Sequence, residues 1–255
     1  MAGEPKSPYY GTMKRRDFLA TVAASTFLSP SIARADDWQT RLIKSSATDE
    51  LLYGLHIKLS PGWKTYWRVP GSAGIPPSIK LEGPDIESLT VDYPLPIRIN
   101  DESGEAIGYH NEVVFILRPK LRADAKPEKL DGKVSAFFGV CKDICRPAKF
   151  AADLSAAETD DTLMQKYVER VPVASDFIRQ AIQKDDQLEL NLEQVVQDIL
   201  VVGPDGLYFQ KPTFGIGSAK LKIFGLTAEQ KLQTKDLDIT AIVDGTGLEQ
   251  TVKVA

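Results

Sequence analysis

The sequence predicts an all-β fold, two antiparallel β-sandwich domains joined by a short helical connector. Three observations carry this. Leu55, Ile57 and Leu59 alternate with His56 and Lys58, the period-two pattern of a strand with one buried face. Pro61-Gly62, Pro70-Gly71, Pro76-Pro77 and Pro94-x-Pro96 then interrupt the first half too often for helices. Between Ser155 and Gln187 the spacing turns helical, and beyond it the alternation returns.

Taken in order, residues 1–35 read as a leader. Lys14-Arg15-Arg16-Asp17-Phe18-Leu19 sets a twin-arginine pair before a weakly apolar run, and Ala33-Arg34-Ala35 supplies a small-x-small cleavage signature. The mature chain is expected to begin at Asp36 and to reside in the periplasm, an oxidising compartment. Residues 36–155 form the first expected β domain, with strands over 113–117 and 133–140, rich in β-branched and aromatic residues, and a return strand over 149–154. Residues 156–186 are expected to be a helical linker in two pieces, 162–170 and 175–184, broken at Pro172. Residues 187–255 form a second, smaller β domain. There Leu188, Leu190 and Leu192 alternate, 199–202 is apolar, Pro204-Asp205-Gly206 is expected to turn a hairpin, and 221–224, 238–243 and 252–254 complete the strands. Phe214-Gly215-Ile216-Gly217-Ser218 lacks the third glycine of a nucleotide-binding loop and reads as a turn.

Composition narrows the function. Of 255 residues, 31 are Lys or Arg and 35 Asp or Glu, a net charge of −4 that argues against nucleic acid as a partner. Loss of residues 1–35 removes five basic and two acidic side chains, which takes the mature chain to −7. No apolar run is long enough to span a bilayer. Two cysteines and two histidines are too few for an ordinary zinc or iron–sulfur site, and no metal or other cofactor is expected.

Chemistry concentrates in one place, Gly139-Val140-Cys141-Lys142-Asp143-Ile144-Cys145-Arg146-Pro147-Ala148-Lys149. Two cysteines in an exported chain ordinarily make a structural disulfide. Here the closed loop is so short that it would stabilise the fold by only about 2 kcal/mol. Lys142, Arg146 and Lys149 flank the pair against a single acid, Asp143, and positive charge lowers a thiol pKa and favours the reactive thiolate. The residues alone leave a structural and a redox bridge both open.

A resemblance weighs between them. Gly62-Trp63-Lys64-Thr65-Tyr66-Trp67-Arg68, followed by Pro70-Gly71 and Gly74-Ile75-Pro76-Pro77, resembles the opening of the periplasmic N-terminal domain of DsbD-type thiol:disulfide interchange proteins, in particular the ScsB type linked to copper-stress tolerance. Ile107-Gly108-Tyr109, the cysteine segment, Gly203-Pro204-Asp205-Gly206-Leu207-Tyr208-Phe209 and Val243-Asp244-Gly245 extend the likeness over most of the chain after residue 35. The resemblance implies immunoglobulin-like β-sandwiches and a redox-active Cys141–Cys145 disulfide that passes electrons between thioredoxin-fold partners in the periplasm. It further implies that Cys145 exchanges with the partner while Cys141 resolves the mixed disulfide.

Two departures accompany it. The family continues into a membrane segment and a thioredoxin-like domain, whereas this chain is expected to work as a stand-alone protein supplied by a separate membrane electron donor. DsbD also spaces its cysteines more widely. A cap over the cysteines is expected from 105–109, with Ile107 near the place of an aromatic cap residue, assisted by Tyr109, Tyr66 and Trp67. His56 is expected to face solvent, and His110 to lie near the cap. The competing reading is a binding or scaffolding β-sandwich with a structural bridge, or a copper site of Cys141, Cys145 and His110, since soft thiolates suit Cu(I).

Overall fold

The computed structural model describes residues 37–71, 74–101, 104–126, 130–227 and 231–255. The leader expected over residues 1–35 and the start at Asp36 lie outside the described residues. The chain is built mainly of β-strands. One sheet runs β11 (Glu158–Thr159), β1 (Trp38–Lys44), β2 (Tyr53–Leu59), β8 (Glu112–Leu121) and β5 (Ile86–Asp92). Facing it is a second sheet ordered β10 (Cys145–Asp153), β9 (Lys133–Cys141), β3 (Lys64–Gly71), β7 (Gly104–His110) and β6 (Ile97–Asp101), with β4 (Ser78–Glu82) also paired to β9. Alternation puts Leu55, Ile57, Val113 and Phe115 of the first sheet against Trp67, Tyr109, Phe138 and Val140 of the second, and these side chains fill the core between them.

The outer face of the first sheet is also covered. Helix α1 (Asp161–Val168) starts where Asp160 accepts a capping hydrogen bond from the Leu163 amide, 3.1 Å. It buries Met164 and Tyr167 on that face. Gly54 makes this approach possible, since a Cβ there would stand 2.7 Å from the Met164 sulfur and 2.6 Å from Val114. The helix overturns the expectation that His56 faces solvent. His56 is 4% exposed, because the face away from the core is roofed rather than wet.

Two more sheets follow. One is ordered β12 (Val173–Ala174), β20 (Thr246–Lys253), β19 (Asp236–Val243) and β15 (Asp198–Val202). The other runs β13 (Ile178–Lys184), β14 (Gln187–Leu192), β18 (Ser218–Phe224) and β16 (Tyr208–Phe209), with β17 (Thr213–Gly215) paired to β18. They enclose a separate core that includes Phe177, Leu188, Leu190, Ile199, Leu221 and Ile239.

The second expected helix, 175–184, is a strand instead. A register irregularity between Ile178 and Gln180 turns both Ile178 and Ala181 inward, which reproduces the three-residue apolar spacing of a helix. Residues 156–186 are therefore not a free helical linker, because α1 packs on the first sandwich and β13 lies in a sheet of the second. Pro204-Asp205-Gly206 does turn the chain, with the Leu207 amide donating to the Pro204 carbonyl at 3.2 Å. It leads from β15 in one sheet to β16 in the other, so it is not a hairpin.

The described residues cluster into one compact unit. Arg98 on β6 ties the two sandwiches together, donating to Asp198 at 2.7 Å, to the Ile199 carbonyl at 3.0 Å and to Glu105 on β7 at 2.8 Å. Among the described residues no helix is long and apolar enough to cross a membrane.

Candidate functional site

Strands β9 and β10 form a hairpin whose tip is Lys142-Asp143-Ile144, and Cys141 and Cys145 stand directly opposite each other at its mouth. They are joined by a disulfide, with Cα atoms 4.1 Å apart. The two sulfurs are in unequal positions. Cys141 is 1% exposed, whereas Cys145 lies on the surface beside Ile144, itself 74% exposed. Only one end of the bridge is offered to a large reactant.

Cys141 pairs across the sheet with Lys64 on β3. Directly opposed residues project to the same face, so Lys64 and, two residues on, Tyr66 share the face of Cys141, away from the main core. The Tyr66 hydroxyl lies 3.2 Å from the Cys145 sulfur. A disulfide sulfur carries no proton, so here the phenol donates. Burial, helped by the nearby Asp101 carboxylate, raises the Tyr66 pKa and keeps that proton in place. The Tyr66 ring fits because residues 74 and 139 are glycines: a Cβ on Gly74 would meet the ring at 2.5 Å and one on Gly139 at 3.2 Å. Tyr66, Cys141, Ile99 and Ala106 make a small buried cluster of their own.

Lys64 is 1% exposed, and its ammonium is held 2.5 Å from the Asp101 carboxylate at the end of β6. A buried cation opposite a cysteine escaped the sequence reading. The available signal was the alternation that puts Lys64 on the face of Tyr66, but its pairing with Cys141 is a long-range fact.

Several expected site residues lie elsewhere. Ile107, Tyr109 and Trp67 do not cap the cysteines. Tyr109 is opposite Thr65, one residue out of phase with the Lys64–Cys141 pair, and with Ile107 and Trp67 it points into the main core. The Tyr109 hydroxyl donates to the Pro94 carbonyl at 2.7 Å, and its ring meets Phe115 edge-on.

The expected tuning cations do not converge on the sulfurs either. Arg146 is opposite Val140, on the reverse face, where Asp37 binds it at 2.5 Å and the Trp63 ring lies beneath it. Lys149 is four residues along β10 from Cys145, about 13 Å at the ordinary strand rise. Lys142 is exposed at the tip, and its stem passes Gly62. His110 is paired to the far side of Lys64, about 10 Å from Cys141 by strand spacing. Its ring lies 3.3 Å from the Trp63 carbonyl. Among the described residues no group of three His, Cys, Asp or Glu side chains is placed to hold a metal ion.

A cross-strand disulfide with one exposed sulfur, a phenol donating to that sulfur and a buried lysine paired across the strands with the other cysteine is a site equipped for thiol–disulfide exchange. Comparison with known proteins gives the same class. Residues 36–154 match the family described as "Thiol:disulfide interchange protein DsbD, N-terminal". This segment is a DsbD-type N-terminal domain. The crystal structure of the N-terminal periplasmic domain of ScsB from Proteus mirabilis has the same fold, with a TM-score of 0.69 and 23% identity, over 86% of this chain and 94% of that one. No curated protein sequence matches the chain.

Proposed function

We propose that this protein carries electrons between thioredoxin-fold partners in the periplasm by opening and closing the Cys141–Cys145 bridge. The unequal exposure of the two sulfurs carries the reading. A partner thiolate attacks the Cys145 sulfur, the Cys141–Cys145 bond breaks, and Cys141 leaves as a thiolate. The partner's second thiol then attacks its own sulfur in the mixed disulfide and frees Cys145. Two electrons have passed to this chain, the partner is left with a disulfide, and the reverse sequence gives them up again. A membrane protein is the proposed electron donor. Residues 1–35 support the compartment, and an intact mass beginning at Asp36 in periplasmic material would establish it.

Non-reducing gels of single-cysteine variants test the chemistry. The Cys141→Ala variant should trap a covalent complex through Cys145, and the Cys145→Ala variant should trap none. A complex formed only by Cys145→Ala reverses the assignment. A wild-type bridge that resists mild dithiothreitol, with a potential below about −300 mV, makes it structural and ends the proposal.

A further inference from the structure

The proposed exchange leaves one requirement unmet, a counter-charge for the sulfur that departs. When Cys145 is attacked, the electron pair of the broken bond stays on Cys141, which is 1% exposed and has little water to solvate it. An anion in such a place is strongly disfavoured unless a charge of opposite sign faces it. Lys64 faces it. The two residues are a direct cross-strand pair, whose Cβ atoms stand about 5 Å apart, and both point into the same buried face. We infer that Lys64 is the counter-charge of the Cys141 thiolate, held by Asp101 while the bridge is closed and turned toward the sulfur when it opens.

Several observations support this. A lysine buried to this degree costs stability that a methionine of similar shape would not, so packing alone does not explain it. The ion pair is also lopsided. The Lys64 side chain is 2% exposed while that of Asp101 is 38% exposed, so water can take over the carboxylate if the ammonium moves away. Asp101 ends β6, a strand anchored to the second sandwich through Arg98. The other ionisable groups near the pair are differently placed. Tyr66 is committed to the Cys145 sulfur, His110 lies beyond Lys64, Lys142 and Asp143 are exposed at the tip, and Arg146 is bound by Asp37 on the reverse face. A stabilised thiolate is a better leaving group, so Lys64 speeds the opening of the bridge and makes the disulfide more oxidising.

The inference rests on the proposed exchange reaction, but its test does not require a partner protein. In full-length Cys145→Ala protein, thiolate ultraviolet absorbance titrates Cys141 alone. Lys64→Met should move that titration up by about one pH unit, and Lys64→Arg should leave it close to the parent. Asp101→Asn removes the carboxylate that competes for the ammonium and should move it down. In the two-cysteine protein, dithiothreitol should open the bridge about tenfold more slowly in Lys64→Met and faster in Asp101→Asn.

The opposite signs are decisive, because loss of a merely structural ion pair would shift both variants the same way. Shifts of the same sign, or an unmoved Cys141 titration in Lys64→Met, overturn the inference. Should Lys64→Met fail to fold, Asp101→Asn decides alone, because its carboxylate is already partly in water: a downward shift supports the role and no shift ends it. Failure of the exchange proposal looks different, as a wild-type bridge that dithiothreitol leaves closed.

Discussion

Two ionisable clusters on the first sandwich make an instructive contrast. On one outer face Lys64 is held by Asp101 and faces a cysteine whose charge changes with redox state. On the other, Arg41 and His56 sit in a closed set. Arg41 donates to His56 Nδ1 at 2.8 Å, to Glu158 at 2.9 Å and to Asp160 at 2.7 Å, while His56 Nε2 lies 3.0 Å from Glu112. Glu112 also binds Lys166 at 3.2 Å, and its carbonyl accepts from the Tyr167 hydroxyl at 2.7 Å. The second set joins β1, β2 and β8 to α1 and is a fastening. The first has a partly wet partner and a sulfur across the strand, and is poised to rearrange. A cluster of ionisable side chains does not by itself mark a functional site; what distinguishes one is a neighbour whose charge can change.

The largest expected effect comes from uncoupling the poised region from its support. Arg98 has an 8% exposed side chain between two carboxylates, Glu105 and Asp198. Arg98→Met leaves both without their shared cation and should lower stability by about 3 kcal/mol, measured by urea unfolding. Because β6 carries both Arg98 and Asp101, the same variant should alter the dithiothreitol rate at Cys141–Cys145. An unchanged rate would mean that the second sandwich does not support the site.

A change in the fastened region should have the reverse profile. Gly54→Ala puts a Cβ within 2.9 Å of Ile43 as well as closer to Val114 and Met164, and should cost about 2 kcal/mol by pushing α1 off its sheet. The bridge lies on the other sheet, so its rate of opening should not change. A slowed bridge would break the distinction between the two regions.

The contrast also explains what could be read from the sequence. The cysteine hairpin and the strands around Leu55 and Phe115 were legible because their signals are local: a short spacing, an alternation, a run of β-branched residues. Lys64 was not, because a lysine in a strand ordinarily marks the wet face, and only the pairing of β3 with β9 makes that face dry and places Cys141 on it. Asp101 is 37 residues away from its partner. His56 failed for a related reason, since α1 comes from a segment a hundred residues later and roofs a face whose own pattern looks solvated. Ile107 and Tyr109 failed by register. They lie in the strand next to the site, but a shift of one residue exchanges the cysteine face for the core. In 175–184 a bulge imitated helical spacing.

The smallest expected effect separates the two regions by pH. Burial lowers the His56 pKa below its usual 6.5, with the Arg41 charge assisting and Glu112 opposing. The hydrogen bonds agree with a neutral ring: Nδ1 must keep a lone pair to accept from Arg41, which leaves Nε2–H to donate to Glu112. In the unfolded chain the imidazole takes its proton near pH 6.5, while in the native chain it does so only at lower pH. Over that window the unfolded state binds more protons, so acid favours unfolding. The His56 contribution is therefore complete above about pH 6.5 and is lost as the pH falls through the native value. Glu112, whose pKa is lowered from 4.5 by Lys166 and His56 although burial opposes them, adds a second loss at lower pH. Urea midpoints measured downward from neutral pH should fall first over the His56 window, and His56→Gln should remove that first decline while leaving the Cys141 titration where it was. If the decline persists in His56→Gln, another group carries it; if Cys141 moves as well, the two faces of the sandwich are coupled.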